Sequence, residues 1–468
     1  MRVRAPLVIV AGAILLRLPI GIGFANYDTL YSLVWGQQIA RGQNPSYGTK
    51  LAPTPHPLLE ALGVVLAPLG AKATLAIVVA IAYLSLAALG YVVFLLGARW
   101  FSWPVGLAAA AFVLSRYEVL SYGVRAYADL PYVVLVLAAL ALESHRRRAG
   151  LPVLALLALA GLLRPEAWLF AGVYWCYLWP ARTPRERTLL ALAVAAAPVG
   201  WVISDWAITG HPLWSLTNTR ATAHALKRPT GILNVPYYGA RRLGEVLGPD
   251  GLAAAAIGGI LSLWLARERA LLGAAAGVLA VLALAIVGAA GLPIQDRYVF
   301  LAAAILTVFA GAGLAGWFAL APERPRRRVW RAASVLVAIA VLASLPWQIP
   351  RFNRTFSSSV PADQSLSAQQ RIANDLIALT PAISTRCGRI AVPYSTPVPL
   401  LALELHVPPT QVVVAQIARG TIVIPANPAV HLEYILDRHD HQVSLEPIPA
   451  GFRLSASNRS WRVYSSCA

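Results

Sequence analysis

Residues 24–60 read FANYDTLYSLVWGQQIARGQNPSYGTKLAPTPHPLLE and directly follow the first apolar segment of the chain. The stretch is too polar and too rich in proline to cross a membrane, and it contains the first carboxylate of the chain, Asp28. A charged side chain at the mouth of a membrane helix is costly and is therefore a candidate for function. We expect the rest of the chain to build a pocket around Asp28.

The composition is that of an integral membrane protein. Of the 468 residues, 58% are hydrophobic and only 13% are charged, about half the usual charged fraction of a soluble domain, and the mean hydropathy is +0.63. The net charge of +19 does not indicate nucleic-acid binding, because the arginines lie between apolar segments, where they set membrane topology. We therefore expect membrane lipids as partners and no nucleic acid.

The apolar stretches predict a polytopic helix bundle of about eleven spans. They cover residues 6–24, 73–98, 104–120, 129–142, 151–163, 167–179, 189–208, 252–266, 271–292, 298–320 and 332–346. Arginine clusters follow the even-numbered spans, which places those ends and the N-terminus in the cytoplasm. The chain is thus predicted to be a multi-pass protein of the cell membrane, with residues 1–349 as its membrane domain and 24–70 as its first outer loop.

Two further segments of that outer loop have helical patterns. Residues 29–41 predict an amphipathic helix, and residues 56–69 predict a helix that lies in the membrane interface.

The pattern changes from residue 350 onward. A helix is predicted over 365–379 and short strands over 389–393, 411–416, 421–425 and 452–464, which indicates a small extracytoplasmic α/β domain over residues 350–468. Cys387 and Cys467 could join the ends of this domain in an oxidising compartment. No Cys/His cluster occurs, so nothing in the sequence indicates a metal site.

Asp28 has two interpretations. As a general base, its carboxylate would take the proton from an attacking hydroxyl. As a structural residue, it would cap the N-terminus of the helix predicted over 29–41.

The other charged residues on the predicted outer side also have structural alternatives. Arg125 and Asp129 are four residues apart and would form an ion pair on one helix, unless Asp129 is a second acid that orients an acceptor. Pro165 breaks the helix between Arg164 and Glu166, which indicates either a self-satisfied turn or, as we favour, the lining of a cavity.

Three more residues are weaker candidates for contact with substrate. Arg297 would pair with Asp296 or bind a phosphate, and Arg220 would contact substrate or lipid head groups. His56, among prolines, would be a metal ligand, a phosphate contact or a loop residue, and we favour the loop residue. No GxxxxGK[ST], GxGxxG or GxSxG motif is present, which disfavours an ATP-driven transporter or a soluble nucleotide-sugar enzyme.

Several of these motifs together resemble the GT-C superfamily of polytopic membrane glycosyltransferases, of the protein-mannosyltransferase and aminoarabinose-transferase type. The resemblance covers roughly the first 320 residues and includes features typical of actinobacterial members. The motifs are Asn26-Tyr27-Asp28, His56-Pro57, Ala128-Asp129-Leu130-Pro131, Leu163-Arg164-Pro165-Glu166, Thr209-Gly210-His211-Pro212-Leu213-Trp214-Ser215 and Asp296-Arg297-Tyr298.

The resemblance implies transfer of a sugar, with inversion, from a polyprenyl-phosphate donor to a hydroxyl of a glycan, lipid or protein acceptor on the outer membrane face. Asp28 matches the first-loop acid of the family and would be the base, and Asp129 matches its second-loop acid. Arg164 and Arg297 would stabilise the leaving lipid phosphate. Many relatives carry an acidic pair where this chain has one acid, so the use of a divalent metal is left open.

Other functions fit the same features. A flippase or transporter would use an arginine-lined cavity for a lipid-linked or anionic substrate, and a polymerase or ligase of lipid-linked glycans would differ mainly in its acceptor. A non-catalytic assembly partner is a third alternative. For the enzyme, we expect one outer-facing cavity to contain Asp28, Asp129 and Arg297.

Overall fold

The computed structural model describes residues 4–323, 325–356 and 365–467 and is mainly helical. The helices up to residue 356 are α1 (Arg4–Ile20), α2 (Tyr27–Ala40), α3 (Pro57–Leu66), α4 (Gly70–Trp100), α5 (Trp103–Ser115), α6 (Tyr117–Val124), α7 (Asp129–His145), α8 (Leu151–Leu163), α9 (Ala167–Leu178), α10 (Pro184–Thr209), α11 (Trp214–Ala225), α12 (Val235–Leu265), α13 (Arg267–Ala289), α14 (Phe300–Ala315) and α15 (Pro325–Phe356). The helices after residue 365 are α16 (Leu366–Leu379), α17 (Pro397–Leu405) and α18 (Pro428–Tyr434). The strands are β1 (Arg389–Ala391), β2 (Val412–Val413), β3 (Gly420–Pro425), β4 (Arg453–Ser457) and β5 (Trp461–Ser466).

The chain is a multi-pass membrane protein, as predicted. Among the described residues, six helical stretches are long and apolar enough to cross a bilayer: Pro57–Trp100, Pro184–Thr209, Ile232–Leu265, Arg267–Ala289, Asp296–Ala319 and Pro325–Phe356. The pair α6 and α7, bent by 113° at the break between them, would make a seventh, and α5 and α8 are shorter apolar helices. The predicted count of about eleven stays a prediction.

Two compact units make up the fold. The first comprises Met1–Gly21, Ala80–Ile203 and Arg228–Arg351, and the second comprises Ile22–Val79, Ser204–Lys227 and Phe352–Ala468. The second unit therefore comprises the long loop after α1, a later loop and the C-terminal residues.

Helix α14 forms the centre of the first unit. It is apolar on every face and is buried along almost its whole length, as expected of a helix surrounded by other helices. A Cβ atom added to Gly258 of α12 would lie 2.5 Å from the backbone nitrogen of Gly313 of α14, so these two backbones touch. Small residues allow membrane helices to approach this closely, and the contact fixes α12 against α14.

In the second unit, α2 is buried on nearly all of its faces. The predicted helix over 29–41 exists with slightly earlier bounds, but its predicted amphipathic character is wrong, because α3 and α17 both pack on it. Gly36 and Gly63 allow α2 and α3 to touch: a Cβ atom on Gly36 would lie 2.5 Å from the carbonyl oxygen of Glu60. Helix α3 then continues through a short turn, Ala67–Leu69, into α4.

The C-terminal residues of the second unit form a five-stranded sheet in the order β2-β1-β3-β5-β4. Strand β1 is parallel to β2 and β3, whereas β5 is antiparallel to β3 and β4. The single strand predicted over 452–464 is in fact a hairpin, because the Asn458 side chain accepts hydrogen bonds from the backbone of Ser460 and Trp461 and turns the chain. The predicted strand over 411–416 is reduced to β2, whereas the helix predicted over 365–379 matches α16.

A disulfide between Cys387 and Cys467 joins the residues just before β1 and just after β5. Its two cysteines are 80 residues apart in sequence. Cys176 is a free, exposed cysteine in the first unit.

We expect Gly36→Val to destabilise the protein by about 3 kcal/mol, because the side chain has to push the backbones of α2 and α3 apart. The measurement is the apparent unfolding temperature of the purified protein in detergent. The control is Gly48→Val, since Gly48 is exposed and a Cβ there would meet no other atom within 4 Å. Equal unfolding temperatures for the two variants would rule out the close helix contact.

Replacing both Cys387 and Cys467 by serine should lower the stability of the C-terminal sheet by about 4.5 kcal/mol, the chain-entropy value for a loop of this length. Limited proteolysis across a urea series, read by the masses of C-terminal fragments, measures the change. The control is Cys176→Ser, which should leave the urea concentration at the midpoint of unfolding unchanged. A double variant that resists protease as well as the wild type would show that the bond contributes no stability.

Candidate functional site

The candidate residues fall in both units, and each unit is described by itself. In the first unit, the helical backbone is interrupted between α6 and α7, where Ala126 adopts a left-handed conformation with φ 55°. Arg125 ends α6 and Asp129 begins α7, so the two do not share a helix and the predicted pair on one helix is wrong. Arg125 instead donates to the backbone and hydroxyl oxygens of Ser121 and lies over the Tyr122 ring.

Asp129 is buried between two arginines. Its side chain is only 3% exposed. One carboxylate oxygen accepts a hydrogen bond from Arg164, and the other lies 3.9 Å from Nη1 of Arg297. Because a buried carboxylate without a partner is strongly unfavourable, these two cations are what permits Asp129 to be charged at this depth.

The Arg164-Pro165-Glu166 turn separates α8 from α9 and supplies one of these cations. Arg164 is 7% exposed, and its Nη2 atom lies 2.5 Å from Oε1 of Glu166. The guanidinium also lies 4.0 Å from the centre of the Tyr298 ring. The turn is thus satisfied partly within itself and partly by Asp129, so Arg164 joins two helix breaks that are distant in sequence.

Arg297 lies in the short helical turn Asp296–Val299 that precedes α14. Its Nε atom donates to the side chain of Gln295 at 2.9 Å, and its ion pair is with Asp129. Asp296 accepts a hydrogen bond from the hydroxyl of Tyr122 at 2.9 Å. With a side chain that is 17% exposed, Arg297 is the more accessible of the two arginines that contact Asp129.

Sequence reasoning missed the aromatic surroundings of this group. Tyr127 and Tyr298 both face the guanidinium of Arg297, and Tyr132 faces that of Arg164. Arginines stack on aromatic faces, and tyrosines next to Arg125 and Arg297 in sequence were the available signal. We call Asp129, Arg164, Glu166 and Arg297 the acid–arginine cluster.

In the second unit, Asp28 lies in the first turn of α2 but does not cap it. The N-cap residue is Asn26, whose side-chain oxygen accepts from the backbone nitrogens of Asp28 at 2.8 Å and Thr29 at 3.2 Å. The structural interpretation of Asp28 as the cap is therefore wrong. The carboxylate of Asp28 is half-buried at a helix N-terminus, where the helix dipole favours negative charge.

The remaining predicted site residues of the second unit are more dispersed. His56 occupies the N-cap position of α3 without a side-chain cap hydrogen bond, and its carbonyl oxygen accepts from the backbone nitrogen of Glu60. Arg220 is half-buried on α11. Within the described ranges, no three His, Cys, Asp or Glu residues are grouped so that they could hold a metal ion.

A further buried carboxylate in this unit is Glu60. It is 3% exposed and accepts a hydrogen bond from the hydroxyl of Tyr47 at 2.6 Å. Asp205 is likewise buried and accepts from both the backbone nitrogen and the hydroxyl of Ser215, so it fixes the start of α11. These contacts stabilise the segments of the second unit that carry Asp28 and Arg220.

We expect Arg164→Gln to reduce the stability of the protein by about 3–5 kcal/mol, because it leaves the buried Asp129 and Glu166 without their shared cation. Thermal unfolding in detergent, followed by intrinsic fluorescence, measures the loss. Arg241→Gln is the matched control: Arg241 pairs with Glu245 on an exposed helix surface, and its loss should leave the unfolding temperature unchanged. Matching unfolding curves for Arg164→Gln and the wild type would contradict the structural role of the cluster.

Comparison with known proteins identifies the fold of this chain. A scan against protein-family models finds no match, and a search of curated protein sequences finds none either. Among solved structures, ArnT from Cupriavidus metallidurans bound to undecaprenyl phosphate aligns with 99% of this chain and 98% of its own, at 15% sequence identity and a TM-score of 0.53.

A second solved structure is the archaeal oligosaccharyltransferase AglB from Archaeoglobus fulgidus, in complex with an inhibitory peptide and a dolichol-phosphate. It aligns with 90% of this chain and 69% of its own, at 12% identity and a TM-score of 0.45. ArnT is a GT-C glycosyltransferase. At these identities the likeness concerns the fold: the chain has an ArnT-like GT-C membrane fold, as its sequence motifs predicted.

Proposed function

We propose that this protein is a membrane glycosyltransferase that moves a sugar from a polyprenyl-phosphate donor to an acceptor hydroxyl on the outer face of the cell membrane. The observation that carries this is the alignment of 99% of the chain with ArnT, whose structure contains undecaprenyl phosphate. The acid–arginine cluster supports it, because charged side chains buried among membrane helices are candidates for function in addition to their structural role.

The cluster would act on the donor phosphate. When the bond between the anomeric carbon and the phosphate oxygen breaks, negative charge develops on that oxygen and needs cationic hydrogen-bond donors. Arg297 is the candidate for this contact, since it is partly exposed and its ion pair with Asp129 is long, at 3.9 Å. Arg164, enclosed by Asp129 and Glu166, would instead hold Asp129 in place.

Asp28 would be the general base. As the acceptor oxygen attacks the anomeric carbon, the hydroxyl proton passes to a carboxylate, and a single attack from the face opposite the phosphate inverts the configuration. The products are the glycosylated acceptor, polyprenyl phosphate and a protonated carboxyl group that later returns its proton to water. Asp28 suits this role because Asn26 provides the helix cap and leaves the Asp28 carboxylate half-exposed.

We expect Asp28→Asn to lower sugar transfer at least about 100-fold, the usual contribution of a positioned base. Asp28→Glu should retain part of the activity, since it keeps a carboxylate. The assay uses purified protein in proteoliposomes, a panel of radiolabelled polyprenyl-phosphate sugars, and arms with and without a chelator. Glu323→Gln, which changes an exposed acid in a loop, is the control and should transfer sugar at the wild-type rate.

Three outcomes would contradict the proposal in different ways. Full transfer by a folded Asp28→Asn variant would keep the enzyme but move the base to another residue, with Asp129 the next to test. Movement of donor across the bilayer without transfer would identify a flippase. Binding of no donor at all by the wild type would favour a non-catalytic assembly partner.

A further inference from the structure

The first unit contains a cavity of about 630 Å³ that includes none of the candidate site residues. It lies between the end of α4, the helices α7, α8 and α9, the first half of α13 and the start of α14. Its volume is within the range of pockets that bind organic ligands. On α7, the lining begins at Val136, about two helical turns after Asp129, so the cavity is distinct from the acid–arginine cluster.

The walls of the cavity are apolar. They are formed mainly by aliphatic and aromatic side chains, among them Leu137, Leu140, Leu157, Phe170, Leu279 and Ile305. Along α13 the lining extends from Glu268 to Leu279, which corresponds to a depth of roughly 16 Å. A long, apolar recess of this kind fits a hydrocarbon chain.

The cavity is lined on α9 and α13 by large apolar residues that remain partly exposed. Four of its lining residues, Val173, Tyr177, Leu271 and Leu272, are between 38% and 48% exposed although they are large and apolar. In a membrane helix bundle, apolar side chains exposed on this surface face lipid and not water. A lipid chain can therefore enter from the bilayer.

One end of the cavity, which we call its mouth, is positively charged. Arg99, Arg147 and Arg269 line it at the ends of three different helices. Arg99 donates to the carbonyl oxygen of Ala141, and Arg269 to the carbonyl oxygens of Phe101 and Ala319, which leaves each with further N–H groups. Arg147 is exposed and makes no hydrogen bond or ion pair with any other residue that the structure describes.

The acids at the mouth do not neutralise these arginines. Glu143 already accepts hydrogen bonds from the backbone nitrogens of Arg148 and Ala149 and from the hydroxyl of Tyr174. Glu143 and Glu268 are the two acids in the lining, so the three arginines exceed them by one positive charge. The mouth thus keeps a net positive charge next to an apolar recess.

We propose that this cavity binds an anionic glycerophospholipid of the leaflet on the arginine-rich side of the protein. One acyl chain would fill the recess between α7 and α13, and the phosphate would contact Arg147, with Arg99 and Arg269 beside it. Basic pockets between membrane helices bind anionic head groups in this way. A soluble phosphate would make no contact with the apolar walls, and a lipid without net charge would not balance the positive charge of the three arginines.

The test is a titration of delipidated protein in detergent, read by native mass spectrometry. The probes are phosphatidylglycerol, phosphatidylcholine with the same acyl chains, polyprenyl phosphate and glycerol 3-phosphate. We expect phosphatidylglycerol to bind at least about fivefold more tightly than phosphatidylcholine, because an arginine near an anionic head group contributes about 1 kcal/mol, whereas the choline cation offsets the phosphate charge of phosphatidylcholine. Glycerol 3-phosphate should not compete, since it has no chain.

Two pairs of variants separate the head-group contact from the recess. Arg147→Ala should weaken phosphatidylglycerol binding about fivefold. The control is Arg146→Ala, which changes an exposed neighbouring arginine outside the lining and should have no effect. Ala275→Trp should block the recess and reduce lipid binding at least tenfold, whereas Val278→Trp, on the same helix but outside the lining, should not. Unfolding temperatures confirm that each variant is folded.

Several results would overturn this inference. Equal affinity for phosphatidylglycerol and phosphatidylcholine would remove the role of the arginines, and tighter binding of polyprenyl phosphate would assign the cavity to a different lipid. Competition by glycerol 3-phosphate would assign it to a soluble anion. Identical effects within either pair of variants would show that lipid binds elsewhere on the surface.

Discussion

The ion pair between Asp129 and Arg164 is the contact on which the interior of the first unit depends. It joins the break between α6 and α7 to the turn between α8 and α9, and Arg297 adds the segment before α14. A break in a membrane helix leaves backbone groups without partners and is tolerated only where protein surrounds it. The bend between α6 and α7, the turn between α8 and α9, and the segment before α14 share one buried set of charges here.

The same arrangement limits what each charged residue can do. Arg164 has a carboxylate on either side and a tyrosine ring over its plane, so its position is determined by neighbours. Arg297 is more exposed, and its ion pair with Asp129 is long, which suits it to contact an incoming anion. Two arginines that look alike in the sequence therefore differ in their surroundings.

Much of this could be predicted from the residues, and the exceptions have physical causes. Pro165 and the charges beside it indicated the helix break, and the motif order indicated the fold. The partner of Asp129 could not be predicted, because Arg164 is 35 residues away, whereas Arg125, four residues away, was the expected partner if one helix continued through both. Similarly, Asn26 and Asp28 are both good cap residues, and only the backbone geometry distinguishes them.

The disulfide between Cys387 and Cys467 also affects what happens to the protein after proteolytic damage. Because the bond closes the sheet domain from β1 to β5, a protease that cuts one of its surface loops produces two fragments that remain covalently joined. The chain before Cys387 leads back to α15, which is long and apolar enough to cross the bilayer. A nicked domain would therefore stay attached to the membrane, and the cut would become visible only after reduction.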